Sequence, residues 1–246
     1  MKKASLESQM GLAECEVQDT EEMYWLRQND DLQSRLELGS DLVAQYRYRD
    51  AVTVWEETID KFQTDPGLYL RIGGAYLTIR EFNKAHEAYE KYLALTGNEK
   101  TAAFQLAMWN YLKGEYREAC IYLEKCVPCD GELLIAVIYW HCLCCLRLGE
   151  KMTLLRYFRD DLDVGHHTAY CLGVSVLSGK MDIPQAVTLL DSGLNDLDFC
   201  IFAYGIYRML EECEEKAEEI REQILDRREM WPCISYLAAW NDSVSK

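Results

Sequence analysis

Two pairs of cysteines have the spacing of residues that bind metal ions or exchange disulfides. Cys126 and Cys129 form one Cys-x-x-Cys motif, and Cys142 and Cys145 form a second one. Four such thiolates are the usual ligands of a structural zinc ion, and a single pair is typical of thiol–disulfide enzymes. The chemistry that these residues could carry out is therefore zinc binding or redox exchange.

The helices predicted around these cysteines argue against both zinc binding and redox exchange. Residues 132–148 predict one apolar helix, and a rise of about 1.5 Å per residue would place Cys142 roughly 15 Å along it from Cys129, far beyond zinc–sulfur bonds of about 2.3 Å. Cys126 and Cys129 stand at the end of the preceding predicted helix, where the helix dipole does not favour a thiolate. We expect no metal and no cofactor, with a thiol-redox or metal-binding helical protein centred on Cys126 and Cys129 as the alternative.

A polar segment with two adjacent histidines is the other candidate for chemistry. His166 and His167 follow three aspartates in the sequence RDDLDVGHH. A polar loop between helices accounts for these residue types equally well. The sequence holds no Gly-rich phosphate loop, nucleophile elbow or His-Glu-x-x-His motif. We therefore expect a protein that is not an enzyme.

The net charge limits the classes of partner. The chain of 246 residues carries 42 acidic and 26 basic side chains, for a formal net charge of −16. Nucleic acids and anionic membranes both attract clustered Lys and Arg side chains, so we expect neither as a partner. A basic peptide remains one option.

Targeting signals and cysteine usage indicate a cytoplasmic protein. The N-terminus lacks the apolar run of a secretory signal, and no stretch approaches the roughly 18 uninterrupted apolar residues of a membrane span. The eleven cysteines are odd in number and scattered along apolar helical faces, as in reduced proteins.

Residues 66–99 form the unit around which the rest of the chain repeats. With Pro66 as position 1, small residues stand at positions 8 and 20, which are Gly73 and Ala85. Bulky residues stand at positions 4, 7, 11, 17, 24 and 28, which are Tyr69, Ile72, Tyr76, Phe82, Tyr89 and Leu93. This pattern resembles the tetratricopeptide repeat, a hairpin of about 34 residues in which the small positions let two helices approach closely. Arg80 at position 15 and Gly97 at position 32 depart from it, since Gly and Pro are usual there.

The same pattern continues without a gap on both sides. Residues 32–65 and 100–133 place small residues at positions 8 and 20 in the same register, namely Gly39, Ala51, Ala107 and Ala119. Three units in one register resemble a tetratricopeptide array. The resemblance implies an all-α fold, a right-handed α-solenoid of stacked antiparallel helical hairpins.

The remaining segments depart from this register. Residues 1–31 predict an acidic N-terminal lead-in or helix, with a break near residues 29–31. Residues 134–230 predict diverged tetratricopeptide-like hairpins, in which the helix over 132–148 is covered on both sides and residues 154–158 supply its partner helix. Residues 231–246 predict a C-terminal capping helix, because an array must cover its last apolar face.

The resemblance also implies a binding surface, since the first helix of each tetratricopeptide repeat lines the concave side of the array. The positions that point inward carry mainly apolar and aromatic residues. The candidate peptide-binding residues are Leu36, Val43, Leu70, Arg71, Leu77, Phe104, Met108, Tyr111, Tyr139 and Leu143.

These residue types predict an apolar groove. Family members that hold the acidic C-termini of heat-shock chaperones use Lys, Arg and Asn in the groove, and only Arg71 could act in that way here. We therefore expect a non-catalytic interaction scaffold that binds a peptide or helix through hydrophobic anchors. In the alternative, Phe104, Met108 and Tyr111 belong to the core. The sequence specifies no oligomeric state.

Overall fold

The computed structural model describes residues 18–62, 65–210 and 214–244, and these residues form helices and connecting loops without strands. They hold α1 (Glu21–Gln28), α2 (Leu32–Ala44), α3 (Tyr48–Lys61), α4 (Gly67–Thr78), α5 (Phe82–Thr96), α6 (Glu99–Lys113), α7 (Tyr116–Cys126), α8 (Gly131–Leu148), α9 (Thr168–Leu177), α10 (Ile183–Leu190), α11 (Asp196–Met209), α12 (Glu214–Asp226) and α13 (Ile234–Val244). Two 3₁₀ helices span Thr153–Tyr157 and Arg228–Met230. The predicted all-α class is confirmed.

The chain forms two compact units that divide inside α6. The N-terminal unit ends at Gln105, and the C-terminal unit begins at Leu106. Of the predicted lead-in, residues 1–17 lie outside the described residues. The part that is described contains α1, which ends at Gln28. Asp31 then begins α2 by accepting a hydrogen bond from the Ser34 amide at 3.0 Å, as an N-cap aspartate does.

Within the N-terminal unit each helix packs on the next one along the chain, from α1 to α5. Two glycines set the spacing inside the pairs α2–α3 and α4–α5. A Cβ at Gly39 would overlap the Trp55 indole, and a Cβ at Gly73 would overlap the Tyr89 ring. The two contacts are equivalent, because each joins a glycine to an aromatic residue 16 positions later. Each helix pair is therefore held close by an aromatic ring lying against bare backbone.

The turn between paired helices also recurs. Tyr46, Arg80 and Gly114 are 34 residues apart, and they have left-handed φ values of 63°, 66° and 81°. After each of them an amide donates to a carbonyl five residues back, at 2.8, 2.9 and 2.9 Å; the pairs are Arg47 to Leu42, Glu81 to Tyr76 and Glu115 to Asn110. This hydrogen bond closes a helix end of the Schellman type.

The C-terminal unit is organised around α8. Residues 135–145 of this helix are all buried, and it packs against α7, α9, α11 and the first 3₁₀ helix. By length and composition α8 could cross a membrane, but 61% of its apolar window is buried inside the protein. A helix that is apolar all round requires cover on every side, and here other helices of the same chain provide it.

The expected partner helix of α8 is not formed. Residues 153–157 make only one short 3₁₀ helix, and a loop continues to α9. The physical reason lies in the sequence RDDLDVG that follows, because it offers no apolar stripe that could extend a helix against α8. The remaining helices include α13, which packs on α11 and α12.

Candidate functional site

Four of the predicted binding residues lie in the core of the C-terminal unit. Met108 and Tyr111 on α6 are 3% and 4% exposed, and Tyr139 and Leu143 on α8 are fully buried. Side chains this deeply buried are not available to a partner. Their assignment to a binding surface is corrected to the core.

The cause of this burial is α11, which lies against α8. The Tyr139 hydroxyl donates to the Ile201 carbonyl at 2.6 Å. A Cβ at Gly173 on α9 would overlap the Tyr139 ring, and one at Gly205 on α11 would come within 3.1 Å of it. The helices that follow α8 therefore occupy the space in which a bound peptide was expected.

A buried polar network joins the end of α6 to α11 and α13. The hydroxyls of Tyr111 and Tyr204 are 2.9 Å apart, and Tyr204 donates to Asp242 Oδ2 at 3.0 Å. The same carboxylate oxygen accepts from Arg208 at 3.0 Å. Since Tyr204 uses its hydrogen on the carboxylate, Tyr111 is the donor between the two tyrosines. Burial raises the pKa of Tyr111 and of Tyr204 well above the ordinary value.

The predicted binding residues of the N-terminal unit are more accessible. Arg71 is exposed, and four apolar residues are half-buried, namely Leu36, Val43, Leu70 and Phe104. Leu77 is the exception, at 6% exposed, and belongs to the core. On α4, Gly74 lies one turn after Leu70, and a Cβ added there would meet nothing within 4 Å. This face of α4 is therefore open in front of Gly74.

A cavity of about 490 Å³ lies among residues of α3, α4 and α5. Inside it the Tyr76 hydroxyl donates to Glu56 at 2.6 Å, and Lys84 lies 5.2 Å from the Tyr76 ring centre. Burial and Glu56 raise the pKa of Tyr76. Its charged lining residues include the carboxylates of Glu56, Asp60 and Glu87 and the amines of Lys84 and Lys91.

A second cleft, of about 370 Å³, is lined by residues of α10 and α12 in the C-terminal unit. Ile183, Val187 and Ile220 form its apolar part, and Lys216 and Glu219 lie at it as well. Val187 is 38% exposed. This cleft was not predicted from the sequence, because the inward-pointing positions were assigned to the first helix of each pair, and α10 and α12 are second helices.

The cysteine pairs do not converge. Cys126 is buried at the end of α7, with its thiol 3.4 Å from the Tyr122 carbonyl, and Cys129 is half-buried in the following loop. Cys142 is fully buried, and burial raises its thiol pKa. Within the described residues, no metal-binding group contains Cys126, Cys129 or Cys142.

A different set of side chains does converge between α7 and α8. Cys120, His141 and Cys145 place their ligand atoms within 4.8 Å of one another. The two sulfurs are 4.0 Å apart, and the Cys145 sulfur is 3.6 Å from His141 Nδ1. Sequence reasoning missed Cys120 and His141. The available signal was the spacing of four residues between Cys120 and Glu124 and between His141 and Cys145, which puts each pair on one helical face.

The two adjacent histidines do not form such a group. His166 is exposed, whereas His167 is half-buried and its ring centre is 5.6 Å from that of Tyr170. Among the residues that the structure describes, the cluster of Cys120, His141 and Cys145 is the one group that could hold a metal ion.

Comparison with known proteins adds no family assignment. No family model matches the chain, and no curated protein is significantly similar to it in sequence.

Proposed function

We propose that the protein is a non-catalytic scaffold for protein interaction, and that residues 32–105 form a right-handed stack of tetratricopeptide-like hairpins. The observation that carries the proposal is the recurrence, after 34 residues, of one left-handed turn at Tyr46 and Arg80. The equivalent glycine–aromatic contacts in the pairs α2–α3 and α4–α5 support the same repeat. Stacks of such hairpins present faces of their first helices to peptides.

The proposed binding surface lies on α2 and α4. It consists of Leu36, Val43, Leu70 and Arg71, together with the open space in front of Gly74. Half-buried apolar side chains beside an open position suit a partner that inserts hydrophobic anchors. Phe104, at the start of α6, is half-buried and is a further candidate contact.

The proposed partner is a peptide or helix with hydrophobic anchors flanked by Lys or Arg. The net charge of −16 favours a basic partner, because opposite charge accelerates encounter and disfavours acidic competitors. A cytoplasmic location belongs to the same proposal and rests on the number and scatter of the cysteines.

Selection from a random peptide library against the full-length protein tests this proposal. The enriched peptides should combine apolar anchors with basic flanks, and the affinity of one selected peptide would be measured by fluorescence anisotropy. Leu70→Glu should weaken it at least about tenfold, as expected when one anchor contact is lost. Leu95→Glu is the matched control, since Leu95 is 62% exposed on α5, outside the proposed surface.

Two results would contradict the proposal. One is enrichment of acidic peptides without apolar anchors. The other is a selected peptide whose affinity is the same for wild type and Leu70→Glu but lower for Leu95→Glu, which would place binding on another surface.

A further inference from the structure

The helices α7 and α8 each carry two potential metal ligands one turn apart. On α7 these are Cys120 and Glu124, and on α8 they are His141 and Cys145. The Cys120 and Cys145 sulfurs are 4.0 Å apart, and Glu124 Oε1 is 3.6 Å from His141 Nε2. Cys120, the first of the two on α7, thus faces Cys145, the second of the two on α8, as expected for antiparallel helices. The backbone of both helices fixes where the four side chains meet.

Two of the three donor–donor distances in this cluster fit tetrahedral coordination. With zinc–sulfur bonds of about 2.3 Å and zinc–nitrogen bonds of about 2.0 to 2.1 Å, two sulfurs lie about 3.8 Å apart and a sulfur lies about 3.6 Å from a nitrogen. The structure has 4.0 Å between the two sulfurs and 3.6 Å between Cys145 Sγ and His141 Nδ1. The third pair, Cys120 Sγ and the His141 nitrogen, lies within 4.8 Å, so the Cys120 side chain must move closer to His141 for all three donors to meet on one ion.

We propose that Cys120, His141 and Cys145 bind a thiophilic metal ion of the zinc class. The inference is independent of the peptide-binding proposal, and of the two Cys-x-x-Cys motifs it uses Cys145 alone. Both ring nitrogens of His141 lie close to the Cys145 sulfur, at 3.6 and 3.8 Å; Nδ1 is the donor, because Nε2 faces the oxygens of Glu124 and Thr153.

The surroundings of His141 suit this role. Its Nε2 atom faces Glu124 Oε1 at 3.6 Å and Thr153 Oγ1 at 3.4 Å. Metal-bound histidines usually direct their second ring nitrogen at such oxygens, which keeps the proton there and leaves the other nitrogen for the metal. Glu124 therefore acts as a positioning residue. The first 3₁₀ helix, which carries Thr153, fixes the position of the second oxygen.

Charge and access are also compatible with a bound ion. His141 and Cys145 are buried, at 1% and 2% exposed, whereas Cys120 is half-buried and links the cluster with solvent. A divalent ion with two thiolates and a neutral imidazole has no net charge, so burial of the complex is not opposed by an unbalanced charge. Binding displaces the protons of Cys120 and Cys145 into solvent, two protons for each metal ion. The fourth coordination position would be taken by water.

Cobalt(II) titration of the reduced, metal-free, full-length protein tests the site. We expect one equivalent to bind, with sulfur-to-cobalt charge-transfer absorption and the visible bands of tetrahedral coordination, and zinc should displace it. Cys120→Ser should halve the charge-transfer intensity, because one of two thiolates is lost, and should weaken binding at least about tenfold. Cys129→Ser is the control and should leave both properties unchanged.

Cys120 is half-buried, so its replacement by serine should leave the protein folded. Replacement of the buried His141 could disturb the core, which is why Cys120 is the residue chosen for the test. The proposal is overturned if cobalt gives no saturable charge-transfer band, which would indicate adventitious binding only. It is equally overturned if Cys120→Ser retains the full intensity or if Cys129→Ser loses it. A Cys120–Cys145 disulfide that persists in the reduced protein would also exclude the site.

Discussion

The hydroxyl of Tyr111 lies 2.9 Å from the hydroxyl of Tyr204, which is 93 residues further along the chain. This hydrogen bond closes the C-terminal unit, because it ties the end of α6 to α11. Tyr111 also packs edge-on against Trp140 of α8, with 4.9 Å between ring centres. An aromatic core therefore fills the side of the C-terminal unit on which a bound peptide was expected.

Removing the acceptor of this network should strongly destabilise the protein. Asp242 accepts hydrogen bonds from Tyr204 and from Arg208, whose side chain is only 2% exposed. We expect Asp242→Ala to cost about 3 to 5 kcal/mol, because it leaves a buried guanidinium without its carboxylate. Urea unfolding followed by circular dichroism measures the change.

The control for this prediction is the exposed pair of Asp160 and Lys180. Their atoms are 2.8 Å apart, but the Asp160 side chain is 95% exposed. Asp160→Ala should change the free energy of unfolding only marginally, as for other exposed ion pairs. Equal effects of the two substitutions would show that Asp242 is not part of a buried network in solution.

Stability should fall at alkaline pH. Burial raises the pKa of Tyr111, Tyr139 and Tyr204, so the folded state keeps these hydroxyls protonated while the unfolded state ionises above about pH 10. A group whose pKa is higher in the folded state than in the unfolded state contributes its full stabilisation at pH values below its unfolded pKa. That contribution is lost as the pH rises above this value. Each buried tyrosine should lower the free energy of unfolding by about 1.4 kcal/mol per pH unit in that range.

Urea midpoints measured between about pH 9 and pH 11 test this dependence. Tyr139→Phe should reduce the slope against pH, because the ring stays in place and one ionisable hydroxyl is removed. Tyr24→Phe should leave the slope unchanged, since Tyr24 is 55% exposed. A slope that is the same in all three proteins would contradict the assignment.

Two neighbouring glycines of α4 should respond to alanine in opposite directions. A Cβ at Gly73 would overlap the Tyr89 ring, whereas one at Gly74 would meet nothing within 4 Å. We expect Gly73→Ala to destabilise by about 1 to 3 kcal/mol through overpacking. Gly74→Ala should stabilise by about 0.5 to 1 kcal/mol, because alanine restricts the unfolded chain more than glycine does. Thermal unfolding of the two variants compares them directly, and a change of the same sign would disprove the packing.

Substitutions at two positions of the recurrent left-handed turn should change stability in opposite directions. Tyr46 has a φ of 63° and Gly114 has a φ of 81° at the equivalent position. Tyr46→Gly should stabilise the protein by roughly 0.5 to 1 kcal/mol, because a left-handed backbone is strained for tyrosine and unstrained for glycine. The greater freedom of glycine in the unfolded chain offsets part of this gain. Gly114→Ala should destabilise by about 1 kcal/mol for the converse reason. Melting temperatures of the two variants provide the measurement.

The helices of the N-terminal unit could be predicted because their determinants are local. Small residues such as Gly39 and Gly73 recur at the spacing of their aromatic partners, and the α2–α3 and α4–α5 pairs form where that pattern stands. The missing partner helix of α8 was not predicted. There the short apolar segment LLRYF predicts a helix, but the polar residues after it cannot extend one.

The binding surface was predicted less well, for a physical reason. Tyr139 and Leu70 both stand on apolar faces of first helices, and their own segments do not indicate what covers them. Tyr139 is covered by α11, more than fifty residues later in the chain, and such a contact has no local signature. The same holds for Cys120, which lies 25 residues from Cys145 and meets it only because α7 and α8 pack together.

The position of Tyr139 between Gly173 and Gly205 links the evolution of three sites. Its ring takes the volume that side chains at both glycines would need. A side chain at Gly173 would be tolerated only after the tyrosine had become smaller, whereas one at Gly205 would require the ring to shift by a few tenths of an ångström. A smaller residue at position 139 would in turn favour filling of both glycines. In related sequences these three positions should therefore change together, and the order of those changes should be constrained.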